Sequence, residues 1–194
     1  MIALQLNKNK LIAKALKVAA KAHRGGNRKG GDEIPYIVHP VEAAMVLQEN
    51  EMSDKIIAAS LLHDTLEDTD LTINDIEDKF GQEITQLVLG ASEKLKDREN
   101  TSWEERKKNT IEHLKQADKD VQYIACADKL SNIRSMIRDY DEIGDKLWPR
   151  FTRGYQKQKW YYTNLVDSLK ALEGLKMYEQ FKLAVDYLFK DENI

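Results

Sequence analysis

The sequence has few of the residues that crosslink a chain or interrupt its helices. Its 194 residues include one cysteine, three prolines and nine glycines. The single cysteine, Cys126, excludes a disulfide within the chain and fits a reducing compartment, so we expect a cytoplasmic protein. No apolar run approaches the length of a membrane span, and the stretch from Met1 to Lys10 lacks the sustained apolar core of a signal peptide. We therefore expect no membrane partner.

An excess of one charge is also missing. Lysine and arginine total 30 and aspartate and glutamate total 33, for a formal net charge of -3. Without a general basic field, a nucleic-acid partner is not expected. The content of 42% hydrophobic and 32% charged residues is that of an ordinary globular protein. The length suits one unit, so residues 1–194 are predicted to form a single domain, while the oligomeric state does not follow from the sequence.

What the sequence does have is apolar residues at helical spacing. Leu11, Ala15 and Val18 start one such stripe, and Pro40 suits the first turn of a second helix. Ser53 can cap a third helix, and Thr72 with Asp75 forms a capping-box-like start for a short one. Further helices are predicted over about Gln82 to Leu95, Trp103 to Gln116, Lys119 to Arg138, from Pro149 through Leu169, and Tyr178 to Phe189. With no alternating strand pattern, the predicted fold class is all-α, a compact multi-helix bundle.

Histidines are scarce as well, and two of the four have distinctive neighbours. His39 precedes a proline, and His63 precedes Asp64 at the predicted end of the third helix. Glu67 and Asp68 follow four residues after that pair. Acidic groups gathered at a helix C-terminus cost stability unless a cation offsets them, and imidazoles with carboxylates are the ligands that divalent transition metals prefer. The run therefore predicts a metal site, although a His-Asp pair alone is more typical of a helix-end histidine beside an exposed aspartate.

Asp128 lies in a mostly apolar helical segment, where a carboxylate needs a partner. That partner is either a basic neighbour, Lys129 or Arg134, or a group on another helix. Asn132 and Ser135 follow at helical spacing, so with Asp128 they predict one wall of a polar cleft. For His39 the alternative to a ligand is a satisfied core histidine.

The other polar segments carry no functional prediction. We interpret His23 and His113 as structural or solvated, and Cys126 as a small core residue. The segment Lys94 to Ser102 has no apolar stripe and is predicted to be a loop. The alternating charges of Lys94 to Lys108 are typical of a solvated face. The three tryptophans are interpreted as packing anchors.

These motifs together resemble the HD metal-dependent phosphohydrolase superfamily. The longer matches are similar to the hydrolase domain of RelA/SpoT homologues, and they lie in Pro35 to Pro40, Leu62 to Thr69, Phe80-Gly81 and Ala127 to Arg134. Because no synthetase domain follows, the chain is similar to the stand-alone small alarmone hydrolases of the metazoan SpoT-homologue type. The resemblance covers roughly residues 10–190, and it implies an HD-domain bundle.

The resemblance implies a metal centre and a catalytic acid pair. The implied ligands of one Mn²⁺ ion are His39, His63, Asp64 and Asp128, with other divalent transition metals possible. Glu67 and Asp68 are implied to position and activate the attacking water. The implied reaction removes the 3′-pyrophosphate from the guanosine alarmones (p)ppGpp, giving GDP or GTP and pyrophosphate.

The resemblance also implies a binding site for this phosphorylated nucleotide. Arg28 and Lys29 match a basic pair that packs on the nucleotide. Asn132 matches an asparagine near the ribose and phosphate, with Ser135 at the neighbouring position, and Tyr161 matches a substrate-contacting tyrosine.

The sequence departs from the family pattern in the segment before the first metal-ligand motif. Glu33 and Ile34 stand where the family commonly has a glycine and a small residue, and the loop with Arg28 is rich in glycine. The nucleobase therefore stays open. The alternatives are the same site acting on ppApp, on the 2′-phosphate of NADPH or on a nucleoside monophosphate, and a catalytically idle nucleotide sensor. The presence of both Glu67 and Asp68 argues against the idle sensor.

Overall fold

The computed structural model describes residues 9–28, 33–93 and 100–190, and the architecture across these ranges is all-α, as predicted. The helices are α1 (Lys10–Ala22), α2 (Val38–Glu49), α3 (Asp54–Leu62), α4 (Thr65–Asp68), α5 (Ile73–Phe80), α6 (Gln82–Ala91), α7 (Trp103–Gln116), α8 (Lys119–Ile143), α9 (Gly154–Ser168) and α10 (Lys176–Leu188), with 3₁₀ turns at Gly144–Arg150 and Lys170–Leu172. Over the same ranges, the strand-like pairing is an isolated antiparallel bridge between Asn27 and Pro35.

Two helices form the centre of the bundle. In α3 every residue from Ile56 to Leu62 is buried, which is expected of a helix that is apolar around most of its circumference. This helix packs against α1, α2, α6 and α8. The long helix α8 packs in turn against α2, α6 and α10, and its buried face includes Ile124, Leu130 and Ile133. Polar side chains on α2, α3 and α8 are therefore held close together by the core.

The starts of the helices agree with the predicted caps. The Ser53 hydroxyl accepts a hydrogen bond from the backbone N–H of Ile56, and Thr72 and Asp75 form a complete capping box. Three starts differ from prediction. Helix α9 begins at Gly154, since Pro149 lies in a 3₁₀ turn, and α10 begins at Lys176 rather than at Tyr178. Helix α2 begins at Val38 rather than at Pro40. His39 consequently lies inside the first turn of α2, where its position is fixed by the helix.

The ends of two helices differ from prediction. Helix α8 continues past Arg138 to Ile143, since no helix breaker occurs before Gly144, which has a φ of 58°. Helix α6 stops at Ala91 because Ser92 is extended, and the Ser92 hydroxyl donates to the backbone carbonyl of His63 at 2.7 Å. Residues 94–99 of the predicted loop lie outside the described residues.

The loop that precedes α2 is closed at its base by the Asn27–Pro35 bridge. The backbone N–H of Arg28 donates to the carbonyl of Ile34 at 2.8 Å, and the N–H of Tyr36 donates to the carbonyl of Gly26 at 2.8 Å. These two bonds fix the chain just before it enters the helix that contains His39.

The interpretations of the core residues are confirmed. Cys126 is fully buried, and Trp148 packs against Tyr140, Tyr155 and Phe189 with ring centroids 4.7–5.8 Å away. None of the helices in the described ranges combines the length and the apolar character that crossing a membrane requires.

Candidate metal and substrate site

The predicted metal ligands come from three places in the bundle. His39 lies in the first turn of α2, Asp128 lies in the middle of α8, and His63 and Asp64 join α3 to α4. Because α3 ends at Leu62 and α4 starts at Thr65, the His-Asp pair occupies a break between two helices. Adjacent side chains on a regular helix point about 100° apart. At this break, the two side chains converge.

The four side chains meet in a buried cluster. His39 Nε2 lies 2.9 Å from Asp128 Oδ1 and 3.7 Å from Asp64 Oδ2. His63 Nε2 lies 3.1 Å from Asp64 Oδ1 and 3.7 Å from Asp128 Oδ1. One ligand atom each from His39, His63 and Asp128 lies within 4.8 Å of the others, and all three residues are buried. The structure therefore brings together residues that are up to 89 positions apart in the sequence.

The electrostatics of the cluster call for a positive charge. Burial alone lowers the pKa of His63, but the carboxylates of Asp64 and Asp128 outweigh it and raise that pKa to about 10. Burial raises the pKa of Asp128, and the Lys129 ammonium with the two imidazoles reverses the effect and holds it well below its usual range. The pKa of Asp64 is lowered against its burial in the same way, mainly by His63.

The chemistry of the donor set fits a divalent transition metal ion. The His63 Nδ1–H donates to the Ser60 carbonyl at 2.7 Å, which directs Nε2 into the cluster. Within the described ranges, this buried Nε2 has no partner in hydrogen-bonding geometry, although carboxylate oxygens lie close to it. Together, the Nε2 atoms of His39 and His63 and the carboxylates of Asp64 and Asp128 form the mixed set that a divalent transition ion prefers.

The acid pair lies on α4, directly after the cluster. Glu67 Oε1 accepts a hydrogen bond from the backbone N–H of Glu93 at 2.6 Å. Asp68 Oδ2 lies 3.2 Å from the hydroxyl of Tyr36, which donates more closely to Asp64 Oδ2 at 2.6 Å. Tyr36 thus connects Asp68 to the predicted ligand Asp64. The sequence prediction did not assign Tyr36 to the site.

Tyr36 is held firmly between these carboxylates. Its ring stacks on His23 at 4.7 Å between centroids. Burial and the nearby Asp64 raise the pKa of the Tyr36 phenol, so the group stays a hydrogen-bond donor at physiological pH. The position of Tyr36 in the segment Pro35 to Pro40, which also contains His39, was a sequence signal that could have assigned Tyr36 to the site. His23 is structural, as interpreted, because it supports this ring.

A cleft of about 830 Å³ opens over the cluster. Its walls include the four candidate ligands, the acid pair and a set of polar and basic side chains: Arg28, Tyr36, Arg106, Lys107, Lys129 and Asn132. This volume falls in the range of small-molecule sites.

The interpretation of Lys94 to Lys108 as a solvated face is wrong for Arg106 and Lys107. Their side chains are only 24% and 19% exposed, and both make ion pairs with Glu93, that of Arg106 at 3.2 Å. They lie on the face of α7 that turns toward the cleft, as do Thr110 and His113. The helical spacing of these polar residues was the available signal, and alternating charge obscured it. His113 Nε2 bonds to the Gly90 carbonyl at 2.8 Å, so it is a structural part of this wall.

The predicted substrate-binding residues have different locations. The Arg28 guanidinium donates to Asn132 Oδ1 at 3.1 Å, and Asn132 Nδ2 donates to Asp128 Oδ1 at 2.7 Å, so both residues lie beside the cluster. Lys29 lies outside the described residues. Ser135 and Tyr161 are not among the residues that line the cleft.

Tyr161 instead lies behind the cleft wall. It is 4% exposed, its ring packs edge-on against Trp103, and the Lys107 ammonium lies 5.0 Å from its ring centroid. This contact is a cation–π interaction, which helps to fix the ammonium at the cleft.

A helical bundle that gathers two histidines and two aspartates under a polar cleft defines a class of metal-binding α-helical domain. Residues 15–151 match the family described as HD domain. The chain belongs to the HD-domain family.

Relatives extend the similarity over almost the whole chain. The chain is 32% identical to the guanosine-3′,5′-bis(diphosphate) 3′-pyrophosphohydrolase MESH1 of Xenopus tropicalis, over 95% of this chain and 96% of that protein. It is 30% identical to the human protein of the same name, over 94% of this chain and 95% of that protein. A solved structure of a metazoan ortholog of SpoT that hydrolyses ppGpp superposes with a TM-score of 0.73 at 25% identity, over 93% of this chain and 94% of that one.

Proposed function

We propose that this protein is a Mn²⁺-dependent hydrolase that removes the 3′-pyrophosphate from guanosine alarmones, giving GDP or GTP and pyrophosphate. The observation that carries the proposal is the buried cluster of two imidazoles and two carboxylates, with an acid pair beside it and basic side chains above it in one cleft. The named activity of the MESH1 proteins supports the choice of substrate. We further propose that the chain acts as a single hydrolase domain.

In this proposal His39, His63, Asp64 and Asp128 hold one Mn²⁺ ion. When bound, such an ion lowers the pKa of a water molecule and neutralises charge on the phosphoryl group under attack. Mixed nitrogen and oxygen ligands suit Mn²⁺ better than they suit Mg²⁺, which prefers oxygen alone.

Glu67 and Asp68 are proposed to position the attacking water and to accept its proton. Both lie on the short helix α4, one turn beyond Asp64. The backbone N–H of Glu93 orients the Glu67 carboxylate, and Tyr36 lies between Asp64 and Asp68. A general base must reach the proton that it removes, and this arrangement fixes both carboxylates at the edge of the cluster.

The basic residues of the cleft are proposed to bind the phosphates. Arg28 is held beside Asn132 over the cluster, and Arg106 and Lys107 lie on the α7 wall. Glu93 pairs with both α7 cations, so they are fixed in place before substrate arrives. A guanosine with several phosphates carries the high negative charge that such a set of cations attracts. Lys29 and Ser135 remain predicted substrate-binding residues. Tyr161 lies behind the cleft wall, so its proposed role is indirect, through the position that it gives Lys107.

The test is a panel of substrates with added Mn²⁺. We expect pyrophosphate release from ppGpp and pppGpp, and loss of both metal binding and activity in His63→Ala and Asp64→Ala. Preferential pyrophosphate release from ppApp would assign adenine as the preferred base. Orthophosphate release from NADPH or a nucleoside monophosphate would assign the protein to a different substrate class. No product from any compound would favour a nucleotide sensor. Full Mn²⁺ content in either alanine variant would contradict the ligand assignment.

A further inference from the structure

Helices α2 and α8 each present two polar side chains that are three residues apart and face the other helix. Helix α2 presents His39 and Glu42, and helix α8 presents Asp128 and Ser131. His39 Nε2 lies 2.9 Å from Asp128 Oδ1, and the Ser131 hydroxyl donates to Glu42 Oε2 at 3.0 Å. His39 Nδ1 lies 3.1 Å from the Ser131 oxygen. The four side chains form one connected set, of which only one pair belongs to the candidate metal ligands.

The direction of each hydrogen bond in this set follows from the groups present. An ionised carboxylate only accepts, so the single hydroxyl proton of Ser131 points to Glu42. The Ser131 oxygen therefore has only lone pairs to offer to the imidazole. The bond to His39 then requires a proton on Nδ1, which leaves Nε2 of the neutral ring with its lone pair facing Asp128 and the cluster.

Glu42 is itself held in place from the other side. The Arg138 guanidinium donates to Glu42 Oε1 at 3.0 Å, so each carboxylate oxygen has a separate partner. Ser131 is 1% exposed, whereas the side chains of Glu42 and Arg138 are 33% and 57% exposed. The chain of contacts thus runs from the buried imidazole to the surface, and its charged end lies where charge is readily solvated.

The two histidines of the cluster are oriented by different means. His63 Nδ1 donates to a backbone carbonyl, that of Ser60, which no substitution removes. His39 Nδ1 depends on the Ser131 and Glu42 side chains, and these arise from separate helices. The orientation of His39 is therefore set by side chains that can be substituted.

We propose that Ser131 and Glu42 are positioning residues for the metal centre, which fix the ring orientation and the protonated nitrogen of His39 without touching the ion. The inference rests on the metal-dependent function proposed above. Partners of this kind typically change metal affinity by about 10- to 100-fold when they are removed.

The experiment measures Mn²⁺ binding by isothermal titration calorimetry in Ser131→Ala, Glu42→Ala and the full parent protein. Glu49→Ala is the matched control, because Glu49 is an exposed glutamate at the other end of the same helix. We expect affinity to fall by about 10-fold or more in Ser131→Ala and Glu42→Ala, and to stay within about twofold in Glu49→Ala. Arg138→Ala is expected to have a smaller effect than Glu42→Ala, since the exposed ion pair is screened by solvent.

A second measurement separates orientation from general destabilisation. In ¹⁵N-labelled protein loaded with diamagnetic Zn²⁺, His39 is expected to show a slowly exchanging Nδ1–H proton, and Ser131→Ala and Glu42→Ala are expected to speed its exchange. The corresponding proton of His63 is expected to be unchanged in these variants, which shows that the bundle is intact.

The outcomes distinguish the inference from the function beneath it. Parent protein that binds Mn²⁺, with both variants within about twofold of it and His39 exchange unchanged, would overturn the positioning role alone. Parent protein that binds no Mn²⁺ would overturn the metal-dependent function, and the positioning role with it.

Discussion

At the scale of single residues, the chemistry of the site depends on which atoms each side chain leaves available. Asp128 offers Oδ2 to Lys129 at 2.6 Å and keeps Oδ1 toward the two imidazoles. The Lys129 ammonium is fixed by this pairing, which raises its pKa well above the usual range against the effect of burial. Its position explains how a buried aspartate is kept ionised. Of the partners that the sequence left open for Asp128, the structure shows both a basic neighbour, Lys129, and a group on another helix, His39.

Glu67→Gln tests the water-activating role. The amide keeps the size of the side chain and still accepts the Glu93 N–H, but it cannot take a proton. We expect Mn²⁺ affinity to be retained and kcat to fall by about 100-fold or more, the usual contribution of a general base. Steady-state kinetics with metal titration measure both. If kcat stays near that of the parent, the role belongs to Asp68 alone.

Lys107→Ala tests the basic wall of the cleft. Removing this ammonium takes a cation from the proposed substrate site, while Arg106 still pairs with Glu93. We expect KM to rise by about 10-fold, equivalent to about 1.4 kcal/mol, with less change in kcat. Lys108→Ala is the control, since Lys108 is exposed on the same helix. Equal KM values in the two variants would show that charge near the cleft acts only at long range.

The residues that the sequence revealed and those that it did not differ in where their partners lie. The sequence indicated a metal site because four of its candidate residues lie within six positions: His63, Asp64, Glu67 and Asp68. Ser131 gave no such signal, because its partners on α2 are 89 and 92 positions away and only the packing of two helices brings them together.

At the scale of elements, the helix starts marked by a capping side chain were more predictable than the helix ends. A start is fixed by a side chain that satisfies free backbone N–H groups, and Ser53 and Thr72 are such side chains. Helix α8 ends at Ile143 because Gly144 is the first helix-breaking residue in its path. The end of α6 depends on the hydrogen bond from the Ser92 hydroxyl to the His63 carbonyl, which is a contact between two elements. Tertiary contacts of that kind have no local pattern.

Gly90→Ala tests how α6 approaches α8. A Cβ at Gly90 would lie 2.6 Å from a methyl group of Val121, whose β-branched side chain has little rotameric freedom. We expect the substitution to lower the free energy of unfolding by about 1–3 kcal/mol, the cost of overpacking. Val121→Ala in the same chain should recover part of the loss, measured by chemical denaturation as a double-mutant cycle. Additive effects would contradict a direct clash.

At the scale of the whole molecule, the cluster of two histidines and two aspartates makes the stability of the fold depend on pH. In metal-free protein the pKa of His63 is raised from an ordinary 6.5 to about 10. Protonated His63 therefore stabilises the fold fully below pH 6.5, and this contribution is lost as the pH rises toward 10. The lowered pKa values of Asp64 and Asp128 contribute above their ordinary value of 3.8, and that contribution is lost only below it. The carboxylate contributions are therefore constant near neutrality, and the histidine contribution declines.

We therefore expect the Tm of metal-free protein in EDTA to fall between pH 6.5 and 8.5 through His63. Mn²⁺ binding requires the neutral imidazole and strengthens over the same range. The Tm difference between Mn²⁺-loaded and metal-free protein should widen with pH, as measured by calorimetry at matched ionic strength. His63→Ala should lack this widening. A difference that is constant or narrows in the parent would contradict the assignment of His63.

The bridge between Asn27 and Pro35 has a consequence for how this protein can diverge. Its two backbone bonds close the loop just ahead of Tyr36 and His39, and backbone bonds do not depend on which side chains the loop presents. We therefore expect insertions and replacements between Arg28 and Ile34 to leave the positions of Tyr36 and His39 unchanged. Because the family resemblance implies that this segment packs on the nucleotide, we expect nucleotide preference to change there while the residues of the His-Asp cluster stay the same.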